Sequence, residues 1–294
     1  MSVTIGITLA FVAMLCFGFG DFLIQKSSRK IGDWETLFVV SCVGTLMLTP
    51  FVWGDFVGVF GYNNSFELLI LIGCSLAFFI VSLLDFESLK IGKITVVEPV
   101  FSTEIVVSAL LAYFILKESL GFYQIILVIL LISGLILVSI KERGKFSFKH
   151  FFIEKGVFWA LATALIMGGT NFIVGFGARI SSPIVVYFFI STICSILSLV
   201  YLLYKGIFRK MVLDFKNNFK LVLTMSVADN LAWIAFVFAM SLAPIGIVVA
   251  LSESYIIISV MLGLVVSGEK LQLHQKIGLV FALVGAVILA VITT

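Results

Sequence analysis

Residues 94–138 recur near the C-terminus about 151 positions later, and that repetition limits the possible folds more than any single motif does. The first copy reads as two apolar helices joined by the polar hinge Lys117-Glu118-Ser119-Leu120-Gly121. The second carries the hinge Gly268-Glu269-Lys270-Leu271. At one offset Glu118 maps to Glu269, Gln124 to Gln275 and Gly134 to Gly285. The start of the chain repeats as well: Gly18, Asp21 and Phe22 align with Gly168, Asn171 and Phe172 at an offset of 150.

Composition says what is duplicated. The 294 residues are 62% hydrophobic and 12% charged, against about a quarter charged in a soluble domain, so the unit belongs in a bilayer. A spanning helix needs about 20 apolar residues. Runs of that kind fall near 3–25, 36–54, 66–89, 94–116, 121–140, 155–178, 183–204, 219–242, 245–267 and 273–292. The expectation is an all-α membrane protein of ten transmembrane helices, built as five-helix repeats over 1–144 and 145–294. Because five is odd, the second repeat enters from the opposite side. Such inverted repeats give many secondary transporters their two access states.

All of the 19 basic residues except Lys117 and Arg179 fall in loops on one side. Positive loops stay in the cytoplasm, which predicts both termini outside a plasma membrane. The basic runs Lys141–Lys155 and Lys205–Lys220 read as topology determinants touching anionic lipid headgroups rather than as nucleic-acid sites. Cys16, Cys42, Cys74 and Cys194 lie singly in apolar runs and read as inert thiols. No nucleophile–base arrangement, phosphate loop or metal-ligand spacing is present, so neither an enzyme nor a cofactor or metal centre is expected.

Ionisable groups inside a bilayer are costly and mark pathways or binding sites. Here they are all acidic: Asp21, Asp85, Glu98, Glu104, Asp229 and Glu253 fall within predicted spans, with Glu87 at a span end. A cavity lined by such groups suits cations or protons. Asp85 and Glu87 lie close in sequence to Lys90 and Lys93 and read as interfacial ion pairs, and Asp21 has a similar neighbour in Lys26. Asn171 repeats a polar group at the position of Asp21. Glu98 precedes Pro99, which frees a carbonyl one turn back, as in broken helices that line cavities. Glu98 shares a face with Ser102, and Glu104 lies on another. Asp229 and Glu253 sit near mid-span, far from any Lys, and Trp233 shares the Asp229 face. An acid beside an aromatic ring can hold an organic cation, although the same face could be ordinary packing.

With its two hinges, Gln124/Gly134, Gln275/Gly285 and Pro99, the chain resembles the drug/metabolite transporter superfamily, in particular its ten-helix EamA-type members. The resemblance implies a central substrate cavity, peripheral fifth and tenth helices, and alternating access without ATP. Two features depart from it: Ala250 stands at the repeat equivalent of Pro99, and many ten-helix members have the opposite orientation. The reading is a secondary transporter, with export favoured by the resemblance, for a small cationic or zwitterionic metabolite such as an amino acid, amine or cationic drug. Proton coupling fits the acids. The alternatives are a facilitator for neutral metabolites, or a non-transporting membrane protein such as a lipid scramblase. The oligomeric state is open.

Overall fold

The computed structural model describes residues 2–59, 65–92, 97, 100–139, 157–258, 262 and 272–293. The expectations for Glu98, Pro99, the Lys141–Lys155 loop and the hinge Gly268–Leu271 lie outside them. Among the described residues the chain is all helical. In order it runs α1 (Ser2–Ile31), α2 (Asp33–Val59), α3 (Ser65–Ile91), α4 (Glu104–Leu116), α5 (Phe122–Ser139), α6 (Val157–Ile180), α7 (Pro183–Tyr204), α8 (Phe208–Asn217), α9 (Phe219–Leu242), α10 (Ile245–Ser252) and α11 (Leu273–Thr293). Seven helices are long and apolar enough to cross a membrane, and three shorter apolar ones run Glu104–Leu116, Phe122–Leu137 and Ile245–Ile258. Where ten spans are expected from the apolar runs, the described residues hold seven helices of spanning length and three shorter apolar ones.

Helix pairing follows the duplication. α1 packs mainly on α9 as α6 packs on α3; α1 meets α10 as α6 meets α4; α9 meets α2 as α3 meets α7. Exchanging the halves therefore returns the same set of contacts. Two of the self-paired sets, α2 with α7 and α5 with α11, run antiparallel. Trp34 stacks on Tyr201 at 3.6 Å, while a Cβ on Gly44, further along α2, would meet Ser191, earlier in α7, at 2.8 Å. Likewise Gly134 faces Gly278 and Ala282, and Gly285 faces Leu127 and Leu131. Equivalent helices thus run in opposite senses.

Glycine has a use where backbones nearly touch. A Cβ on Gly134 would lie 2.5 Å from the Ala282 nitrogen and 2.7 Å from the Gly278 oxygen. Only a residue without a side chain lets α5 and α11 approach so closely. At the other seam, added Cβ atoms on Gly18 and Gly168 would strike Ile258 and Val107. Those two partners are themselves 151 apart.

Both repeats break a helix at the same place. Backbone bonding tightens around Ser102–Thr103, with Thr103 N–H donating to Val100 O and Ile105 N–H to Ser102 O. It does so again around Glu253–Ser254, where Ser254 N–H reaches Leu251 O and Ile256 N–H reaches Glu253 O. Ala250 shows that the second break needs no proline.

Helix ends are capped by another matched pair. Arg29 donates to the carbonyls of Lys90 (3.2 Å) and Gly92 (3.0 Å) at the end of α3. Arg179, 150 residues on, donates to Met240 (3.0 Å) and Ala243 (2.8 Å) at the end of α9. A cation at a helix C-terminus is stabilised by the unpaired carbonyls there. Arg179 also pairs with Glu118, whose other oxygen accepts from the Ile245 N–H at 2.9 Å and so anchors the start of α10.

Candidate functional site

The antiparallel pairing of α1 with α9 and of α3 with α6 leaves a central cavity of about 780 Å³, counting the space at its mouth. Five carboxyl groups line it: Asp21 from α1, Asp85 from α3, Glu104 from α4, Asp229 from α9, and Glu253 just after α10. Among the described residues that line it there is no Lys or Arg. Asp21, Glu104, Asp229 and Glu253 are buried, whereas Asp85 is half-buried.

Hydrogen bonds join these acids to neutral groups of the other repeat. Asn171 Nδ2 donates to Glu104 Oε1 at 2.9 Å. The Tyr255 hydroxyl bonds to Asp21. Since Asn171 is the repeat equivalent of Asp21 and Tyr255 that of Glu104, these are one bond made twice, with acid and neutral partner exchanged. Glu104 also bonds to Glu253 through their carboxyl groups. The break after Ser102 and the break at Glu253 bring these side chains together.

One wall is aromatic. Trp233 meets Phe78 edge-on with ring centroids 4.7 Å apart, Phe17 at 5.3 Å and Phe236 at 5.4 Å. Tyr187 lies parallel to Trp233 at 6.4 Å and donates its hydroxyl to Asn230 Oδ1 at 3.0 Å. Asn230 in turn donates to Val40 O at 2.9 Å, tying α9 to α2. A Cβ on Gly44 would run into Asn230 Oδ1, so glycine there makes room for this link.

Asp21, Asn171, Glu104, Asp229, Trp233 and Glu253 all line the cavity. Ser102 is buried at the helix break but is not part of the lining. The expected ion pair of Asp85 with Lys90 is corrected, while Lys93 lies outside the described residues. Lys90 reaches Asp33 at 2.8 Å and Glu87 at 3.3 Å, while Asp85 turns into the cavity. Five positions separate Asp85 from Lys90, about 140° around the helix, which puts them on different faces. Nor does Lys26 serve Asp21: its ammonium lies 4.1 Å over the Phe22 ring. Ser41 and Ser191, 150 apart, also line the cavity, as do Tyr187 and Ser82. The repeat offset is the signal in the sequence that points to the two serines.

Comparison with known proteins follows the same duplication. A profile described as the EamA-like transporter family matches residues 4–140 and, separately, 154–291. An uncharacterized transporter of Archaeoglobus fulgidus is 26% identical over 157 residues, which are 53% of this chain and 56% of that protein. The chain thus matches little more than half of that relative's length. A protein crystal structure superposes with a TM-score of 0.73 over 98% of this chain and 97% of its own, at 15% identity. At that identity the likeness is one of fold.

Proposed function

The chain belongs to the EamA-like transporter family, and from that premise we propose that it is a secondary active transporter for a small cationic or zwitterionic metabolite, working as an exporter by alternating access. Ten helices cross the plasma membrane in this reading, as two inverted units over 1–144 and 145–294, with both termini outside. One observation carries the choice of substrate: five carboxyl groups line the cavity, and no Lys or Arg stands among the described lining residues. Asp229 and Glu253 exchange protons for the arriving cation, which couples the two fluxes by competition. The aromatic wall around Trp233 adds cation–π attraction.

A specific observation favours a second reading. The bonds Asn171–Glu104, Tyr255–Asp21 and Glu104–Glu253 could serve packing alone, in a facilitator for neutral metabolites. Amine flux in proteoliposomes separates the two. Uptake should depend on pH between about 5.5 and 8.5, a window within which proton-coupled sites switch. Asp229→Asn and Glu253→Gln should flatten that profile while thermal unfolding stays close to wild type. If both variants keep the wild-type profile, the acids are structural and proton exchange is wrong.

A further inference from the structure

We propose that the cavity takes an extended organic dication, a linear diamine or polyamine, with one ammonium at Asp85 and the other among the acids at the helix breaks. The proposal deepens the cation-transport reading above and rests on it.

The acids fall into two groups along α6. Asn171 bonds Glu104, which bonds Glu253, at one level; the α1–α9 seam brings Gly20 against Asp229 and so sets Asp21 beside Asp229. Asp85 belongs to another level. In the antiparallel α3–α6 pair, Cys74 donates to Ile173 O, and Gly177 faces Ile70 and Cys74. Continued along both helices, that register sets Asp85 level with Thr163. Thr163 and Asn171 are eight residues apart, about 12 Å along a helix axis.

Each level also holds a buried acceptor that no described residue satisfies. Asn171 Oδ1 and Thr163 Oγ1 have no hydrogen-bond partner, both residues are 1% exposed, and both line the cavity. Buried polar groups are ordinarily paired. A ligand with an N–H donor at each end would satisfy both. A metal ion fits poorly, because among the described residues no three His, Cys, Asp or Glu side chains converge as a metal site requires. Between the levels, Phe78 offers apolar wall to a methylene linker.

The test uses the purified full-length chain in proteoliposomes, with 1,5-diaminopentane and 1-aminopentane as probes in flux and ligand-induced stabilisation. The diamine should half-saturate at a concentration at least tenfold lower than the monoamine. Asp85→Asn should weaken the diamine at least fivefold and the monoamine less than twofold. Thr163→Val, which removes the hydroxyl without adding charge, should shift the diamine in the same direction. Equal affinity for the two amines overturns the dication proposal and leaves the cation reading standing. Failure of both amines to bind or move overturns the cation reading itself. Equal weakening of both amines by Asp85→Asn and by Thr163→Val overturns the two-level arrangement.

Discussion

The two repeats differ least where helices touch and most where they face the cavity. Gly18 and Gly168 hold the same seam, and Arg29 and Arg179 cap equivalent helix ends. Across the cavity the equivalences change chemistry: Asp21 against Asn171, Glu104 against Tyr255, Ser102 against Glu253, Leu37 against Tyr187. A scaffold with exchangeable halves needs like residues in like seams. A small ligand lying across the relating axis meets both halves at once, so an unsymmetrical ligand requires that they differ. The exchange is also chemically balanced. Each of the bonds Asn171–Glu104 and Tyr255–Asp21 has one acid and one neutral partner, and two acids at either would repel.

The seam side of this comparison breaks most easily at Gly134. Gly134→Ala pushes a methyl group into the α11 backbone, which cannot turn aside as a side chain can. Such overpacking should cost about 1–3 kcal/mol. Gly285→Ala, whose nearest neighbours lie at 3.3 Å, should cost less, and Gly169→Ala, with nothing within 4 Å, nothing or less than nothing. Thermal unfolding in detergent ranks the three. If Gly169→Ala proves the most damaging, the packing account of the seams fails.

Arg179 gives the next largest effect and compares the two faces. Arg179→Ala removes bonds to Met240 O and Ala243 O together with the Glu118 pair, so about 1–2 kcal/mol of stability should be lost. Arg29→Ala removes the matched bonds to Lys90 O and Gly92 O and should also lower stability. A loss at only one of the two arginines would mean that the caps are not equivalent.

Much of this architecture is legible in the sequence because a duplication writes its own register. An offset of 150–151 is enough to align hinges, glycines and cavity polar groups from the order of residues alone. What resists reading is the pairing between helices. Nothing in the sequence says that Asn171 meets Glu104, since that contact depends on the α4–α6 register. Asp85 misleads for a simpler reason: its nearness to Lys90 along the chain hides the helical angle between them. The break at Ser102–Thr103 lies just past Pro99, but its twin at Glu253–Ser254 has no proline to announce it.

Trp233 sharpens the cavity side of the comparison. The position 151 earlier is Ser82, so the indole at the centre of the aromatic wall has no counterpart in the other repeat, although both residues line the cavity. Trp233→Ala should weaken amine binding by about 0.5–2 kcal/mol, the range for a cation over an aromatic face. Ser82→Ala should change it little. Binding isotherms for 1-aminopentane on the two variants decide the matter. Equal losses would remove Trp233 from the site.

The smallest effect belongs to Glu87, and it tests whether acids near the membrane face differ in kind from those in the cavity. Glu87 pairs with Lys90 at 3.3 Å, but both side chains are substantially exposed, and Lys90 has the closer partner Asp33 at 2.8 Å. Removing one carboxylate from a solvent-screened pair should cost about 0–1 kcal/mol. Lys90 keeps Asp33, so the end of α3 should stay in place. Glu87→Gln should therefore leave transport and its pH profile unchanged, whereas Asp85→Asn, two residues away, alters diamine selectivity. Because the two sites share a helix turn, general damage to α3 would affect both variants alike. A shift in selectivity confined to Asp85 can come only from the face that it presents to the cavity.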